Sequence, residues 1–180
     1  HKKVINQALE LAEDVLVLIG SAGSPRTIRN PFTYSERRNM IINTYDDGDH
    51  SPLNRIFIEP LYDRLYNDTA WTKQVQEAVE GQYLHSGKHV GLIGASKDHT
   101  SYYLKMFPQW KHEDVPLDEE TLHATDIRKS YLLEYDEEWP VSYATGTFLQ
   151  YFKHRKEYAT LQSGYLHTVE YKKSWEAAPY

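Results

Sequence analysis

Cysteine is absent from all 180 residues. That excludes a disulfide framework, a zinc ribbon and a thiol nucleophile, and it makes a reducing compartment, the cytoplasm, the simplest fit. No apolar run approaches the ~20 residues that span a bilayer, and no signal-peptide pattern is visible, so no membrane partner is expected. An excess of cations is lacking too: 20 Lys and Arg face 26 Asp and Glu, for a formal net charge of −6. A protein built for a nucleic-acid backbone carries the opposite balance, so nucleic acid is not an expected partner. A mononucleotide needs only a few well-placed cations and stays within reach. Three motifs are missing as well. Without G-x-G-x-x-G or a Walker A loop, dehydrogenase and P-loop readings lose their main support. Without G-x-S-x-G there is no nucleophile elbow.

What is present is an ordinary globular composition, 40% hydrophobic and 26% charged, in a chain long enough for one domain with a real core. The 15 tyrosines are scattered and form no stacking platform. In KKVINQALELAED, Val4, Ile5, Ala8, Leu9 and Ala12 make one helical face. DVLVLIGSAGS follows as a short β-branched run ending in small residues, which reads as a strand buried on both faces and running into a tight turn. Residues 26–31 read as a loop. Thr33 to Glu36 carries a capping-box pattern that opens a helix through Ile42. RIFIEPLYD is a second strand. A helix follows from about Thr69, then strand HVGLIGA, helix TSYYLKMF and a short edge strand in QWKHEDVP. Another helix begins at Thr125, and the last third is mostly helical. Alternation with short connections implies a doubly wound parallel sheet, Rossmann-like, with helices on both faces and a helical C-terminal part.

Ligands of such sheets sit at the carboxyl ends of the strands. Gly20, Ser21, Ala22 and Gly23 fall there after the first strand, followed by Arg26 and Arg29. Asp63, Asn67 and Trp71 follow the second strand, and Gly94, Ala95, Ser96, Lys97 and Asp98 the third. Thr125 and Arg128 follow the edge strand, and His1 opens the first helix. Cations, helix N-termini, small residues and one flat aromatic make a phosphate-loving set. The DDGDH run at 46–50 reads as a polar loop, because it lacks metal-cage spacing. His85 and His89 are separated by Gly87 and read as solvated.

The runs HKKVINQALELAEDVLVLIGSA and RTIRNPFTYSERRNMI resemble the nucleotidyltransferase superfamily, in particular the archaeal type of nicotinamide mononucleotide (NMN) adenylyltransferase. That family shows H-x-G-H, then a strand ending I-G-S-A, then N-P-F-T-x-x-E-R. YDRLYNDTAW is similar to the family segment in which an Asp and a following Trp hold the nicotinamide ring. HATDIR is similar to its phosphate-gripping I-S-S-T-x-I-R motif, with His123 and Ala124 where the family has serines. KDHTSYYLKMFPQW and YKKSWEAAPY resemble bifunctional proteins that join this domain to a Nudix hydrolase.

The resemblance implies a transferase of NAD biosynthesis, in which the NMN phosphate attacks the α-phosphorus of ATP and yields NAD and pyrophosphate. His1, Arg128 and Arg29 would be catalytic. Thr125, Gly94, Lys97 and Asp98 would serve ATP, and Gly20, Ser21, Ala22, Asp63, Asn67 and Trp71 would serve NMN. No protein metal site is implied; Mg²⁺ would be held by substrate. Small-molecule nucleotides are the expected partners, with room for a homo-oligomer. Residues 1–178 are read as the transferase domain lacking its first strand, since a strand–helix alternation that opens on a helix is missing the strand before it. Residues 179–180 are read as the start of a linker to a Nudix domain. Alternatives are a different phosphorylated acceptor on the same fold, a non-catalytic nucleotide sensor, or a structural module.

Overall fold

The computed structural model describes residues 2–83, 89–94, 99–116, 124–134 and 139–177. They divide into two compact units, His1–Ser24 with Asp46–Thr121, and Pro25–Tyr45 with Leu122–Tyr180.

The first unit holds every described strand. Helix α1 (Lys2–Leu11) buries Ile5 and Ala8, the centre of the expected apolar face. Ala12 lies just past its end and is exposed. Strand β1 (Val15–Ile19) pairs in parallel with β2 (Ile56–Pro60), Val15 opposite Ile56 and Ile19 opposite Pro60. The ladder runs one step further, because the Leu61 amide donates to the Ile19 carbonyl at 3.0 Å. Helix α3 (Asp68–Tyr83) follows, then β3 (Gly91–Gly94), which pairs in parallel with β4 (Lys111–Asp114). Among the described residues the strands thus form two parallel pairs rather than one continuous sheet. One cluster spans both pairs: Leu61, Val75 and Phe107 are buried, and Leu18, Leu92, Trp71, Met106 and Trp110 pack on them.

One local expectation changes. TSYYLKMF was expected as an α-helix, but His99–Met106 winds as a 3₁₀ helix. The segment is short and runs into Pro108, and tight 3₁₀ turns are the usual form of such connectors. The 46–50 region includes a single 3₁₀ turn, Gly48–His50, with Gly48 at φ 54° where a side chain would be strained.

The second unit is helical: α2 (Tyr34–Tyr45), α4 (Ala124–Leu133), α5 (Tyr143–Phe152) and α6 (Lys156–Glu176). Its core is Tyr131, Leu132, Leu149, Phe152, Tyr158 and Leu161, with Ile28, Phe32 and Trp139 among the flanking residues. Phe32 meets Phe148 and Phe152 edge-on, at 5.5 and 5.3 Å between centroids. The capping box forms as the T-x-x-E spacing predicts. The Thr33 amide donates to Glu36 Oε2 at 2.9 Å, and the Glu36 amide to Thr33 Oγ1 at 3.3 Å.

Candidate functional site

Because β1 and β2 run parallel, the turns after them leave the pair at the same end. Their backbones are tied where the Ala22 amide donates to the Leu61 carbonyl at 3.0 Å. Ser21 sits in the left-handed region at φ 51°, uncommon for a residue with a side chain. That twist is accompanied by a bond from Ser21 Oγ to Asp63 Oδ1 at 3.0 Å; Ser24 Oγ donates to the other oxygen, Oδ2, at 2.9 Å. The exposed Asp63 carboxylate is therefore held in a fixed orientation by hydroxyls from the neighbouring turn. Gly23 lets the turn pass close to the Tyr62 ring, since an added Cβ would stand 3.0 Å from it and the ring would have to shift. Gln74 pins the second turn from α3, donating to the Tyr62 carbonyl at 3.0 Å.

Asn67 Oδ1 accepts the Ala70 amide at 2.9 Å, so this side chain serves as the N-cap of α3. Trp71 lies one turn on, half-buried. It flanks the Phe107 cluster, with centroids 6.0 Å from Phe107 and 6.2 Å from Tyr103. It anchors packing and exposes part of its surface as well. Gly94 ends β3 close against Leu104, whose Cδ2 would stand 3.0 Å from an added Cβ. The structure thus gathers Gly20, Ser21, Ala22 and Asp63 on one strand-end edge.

The second unit brings together Arg29, Thr125 and Arg128. Arg29 rides on a tight turn closed by reciprocal backbone bonds between Thr27 and Asn30, both 3.1 Å. Arg128 lies one turn into α4 and donates from Nη2 to Thr125 Oγ1 at 3.1 Å. Burial, and then the charge of Arg29, push the Arg128 pKa down from its ordinary value. The charge of Arg29 is thus felt at Arg128. Among the described residues neither forms an ion pair with a carboxylate. Cations that spend their charge on no carboxylate among the described residues suit an oxyanion ligand.

Arg26 departs from the expected phosphate-loving set. It forks onto Glu36, Nη1 to Oε2 at 2.5 Å and Nη2 to Oε1 at 2.8 Å, and its guanidinium lies 5.2 Å over the Phe152 ring. A cation so paired is structural. Its i, i+10 acid was not readable as a partner until the loop folded back on α2. Ser24 and Gln74 were also missed; a serine closing a small-residue turn was the only signal for the first. His1, Lys97 and Asp98 lie outside the described residues, as do Ala95, Ser96, His85 and His123. Among the described residues no group of three or more His, Asp or Glu could hold a metal.

A family model described as cytidylyltransferase-like matches residues 1–130. The chain belongs to the cytidylyltransferase-like family. Its nucleotidyltransferase fold, with parallel strands and helices in one mixed α/β chain, is the one the motifs had implied. Among relatives of this cytidylyltransferase-like chain, the nicotinamide/nicotinic acid mononucleotide adenylyltransferase of Acinetobacter baylyi is 36% identical over 165 residues, 92% of this chain and 85% of the relative. The nicotinamide-nucleotide adenylyltransferase of Pyrococcus furiosus is 28% identical over 130 residues, 72% of this chain and 64% of that one. A solved structure from Francisella tularensis, a bifunctional NMN adenylyltransferase/ADP ribose pyrophosphatase complexed with AMP and a Mn ion, superimposes with a TM-score of 0.84 at 25% identity. That match covers all of this chain and 52% of the Francisella chain, so the chain spans about half of that relative's length.

Proposed function

We propose that this chain joins ATP to nicotinamide mononucleotide, forming NAD and pyrophosphate. The observation that carries the reading is Arg128 bonded to Thr125 at the start of α4, under the charge of Arg29, with no ion pair to a carboxylate for either arginine among the described residues. Relatives named as nicotinamide mononucleotide adenylyltransferases support the assignment of substrates. In-line attack of one phosphate oxygen on the α-phosphorus needs no protein nucleophile. Catalysis then consists of holding two anions and neutralising charge that grows on the departing pyrophosphate. Arg128, with the α4 N-terminus and Thr125, is assigned to the ATP phosphates, and Arg29 draws in a phosphate from its own turn. His1, Lys97 and Asp98 keep the roles the resemblance implies, His1 in catalysis and the other two toward ATP.

Recognition of the acceptor falls to Asp63 and Trp71, with Gly20, Ser21 and Ala22 allowing close backbone approach and Asn67 opening α3. A clamped carboxylate and an aromatic face suit a cationic, amide-bearing ring. The donors on the phosphate side are guanidinium and hydroxyl groups, which bind phosphate oxygens rather than a cation. No described residue is placed to hold magnesium, which would come with the substrate and supply neutralisation of the phosphate charge. The site is proposed to work in the cytoplasm.

A coupled assay for NAD with ATP, NMN and Mg²⁺ tests the reading. Turnover by the purified protein is expected. Nucleotide binding without turnover would instead mark a sensor, and turnover only with another phosphorylated acceptor would reassign the substrate. In the same assay Trp71→Ala is expected to raise the KM for NMN about tenfold while the ATP KM moves less than about twofold. Equal shifts in both would sink the placement of the ring.

A further inference from the structure

The turn that carries Arg29 is gripped by one carboxylate. Glu36, whose side chain is 12% exposed, accepts both Nη groups of Arg26, three residues before Arg29. The same carboxylate accepts the Thr33 amide at 2.9 Å, four residues after Arg29. Arg26 in turn donates to the Pro31 carbonyl at 2.9 Å. Arg155, at the start of α6, reaches Glu36 Oε1 at 3.4 Å and lies 5.9 Å over the Phe152 ring that also carries Arg26. The chain is therefore fixed on both sides of Arg29 through a single acid, and Ile28 beside it is packed into the unit's core.

We propose that Glu36 is a positioning residue: by closing this ring around residues 26–33 it sets Arg29 beside Arg128 and so governs how tightly the protein holds phosphate groups. The inference rests on the reading that Arg29 meets a substrate phosphate. Glu36 itself touches no substrate. A plain helix cap would stabilise α2 and leave the guanidinium pair indifferent, whereas a positioning acid acts through Arg29. Misplacing a substrate-contacting group by about 1 Å is enough to cost up to ~10²-fold in rate.

The test is a double-mutant cycle of Glu36→Gln with Arg29→Ala. Glutamine keeps the size of the side chain and can still complete the capping box, but it gives up the charged fork to Arg26. Two readouts are taken, kcat/KM for NAD formation and affinity for inorganic pyrophosphate by calorimetry, together with thermal melting. Alone, Glu36→Gln is expected to lower kcat/KM and pyrophosphate affinity about tenfold. On the Arg29→Ala background it should change either by less than about twofold, while the melting shift is the same on both backgrounds. Arg26→Lys, which keeps the charge but not the fork, should give the same non-additive pattern at smaller amplitude. Equal losses on both backgrounds, or no loss from Glu36→Gln alone, overturn the proposal. A wild-type protein that makes no NAD refutes the function instead, and the pyrophosphate cycle still decides the role of Glu36.

Discussion

The strand-bearing unit and the helical unit offer a ligand opposite chemistry. On the first, the side chains bonded to one another at the β1 and β2 ends are an acid and two hydroxyls, with a half-buried indole further along in α3. On the second they are guanidiniums with a threonine hydroxyl. The difference follows from the backbone. Parallel strands end in tight turns where small residues let side chains lock to each other. A helix N-terminus and a short closed turn instead hold long cationic side chains near one another. Substitutions in the helical unit should therefore disturb phosphate handling, and those in the strand unit acceptor handling.

Arg128→Ala should break this comparison most sharply. It removes a preorganised cation, and losses of about 10²–10³-fold in kcat are typical for one such donor. The coupled NAD assay is expected to show that loss with the KM for NMN little changed. A loss carried by the NMN KM alone would reverse the assignment of the two units.

Arg55→Ala comes next and tests the strand unit as a scaffold. The Arg55 guanidinium donates to the carbonyls of Leu9, Ala12 and Glu13 at 2.7, 2.7 and 2.6 Å, which satisfies the open C-terminal end of α1. Its removal should cost about 1–3 kcal/mol of stability by urea titration. Retained substrate affinities would confirm that Arg55 is not a ligand contact.

Ser24→Ala is smaller still. It frees one oxygen of Asp63, a hydrogen bond worth about 0.5–1.5 kcal/mol. The KM for NMN should rise a few-fold, with the ATP KM steady. Identical kinetics would mean that the orientation of Asp63 does not matter to the acceptor.

Much of this arrangement was legible before folding. Local signals carried it: the β-branched run of β1, the T-x-x-E box at Thr33–Glu36, and the small residues after Ile19 each act within a few positions. What sequence reading missed depends on distance along the chain. Arg26 looked like a free cation because Glu36 is ten residues away and reaches it only after the loop turns back. Arg55 looked unremarkable because its carbonyl partners lie more than 40 positions upstream. Trp71 was legible as an aromatic at a helix start, but its packing against Phe107 was not, since those residues meet only across the unit.

The mildest test is pH, and it separates the units by stability rather than by ligand. The helical unit contains Glu36, Tyr131 and Tyr158, whose pKa values are displaced. Burial works to raise Glu36, but the Arg26 fork, the Thr33 bonds and the Arg26 charge outweigh it and leave the carboxyl below its ordinary value of 4.5. Its ionised form is thus favoured by folding, so its contribution is present above pH 4.5 and is lost as pH falls through the lowered value. Tyr158 shifts the other way. Burial, then the Glu134 charge, push its hydroxyl up to about 12. That contribution is complete below the ordinary value of 10.0 and is lost as pH rises toward 12. Melting temperature against pH should fall on both limbs. Glu36→Gln should flatten the acid limb alone, and Tyr158→Phe the alkaline limb. If either variant leaves its own limb unchanged, the acid–arginine ring or the buried tyrosine is not what ties this unit's stability to protons.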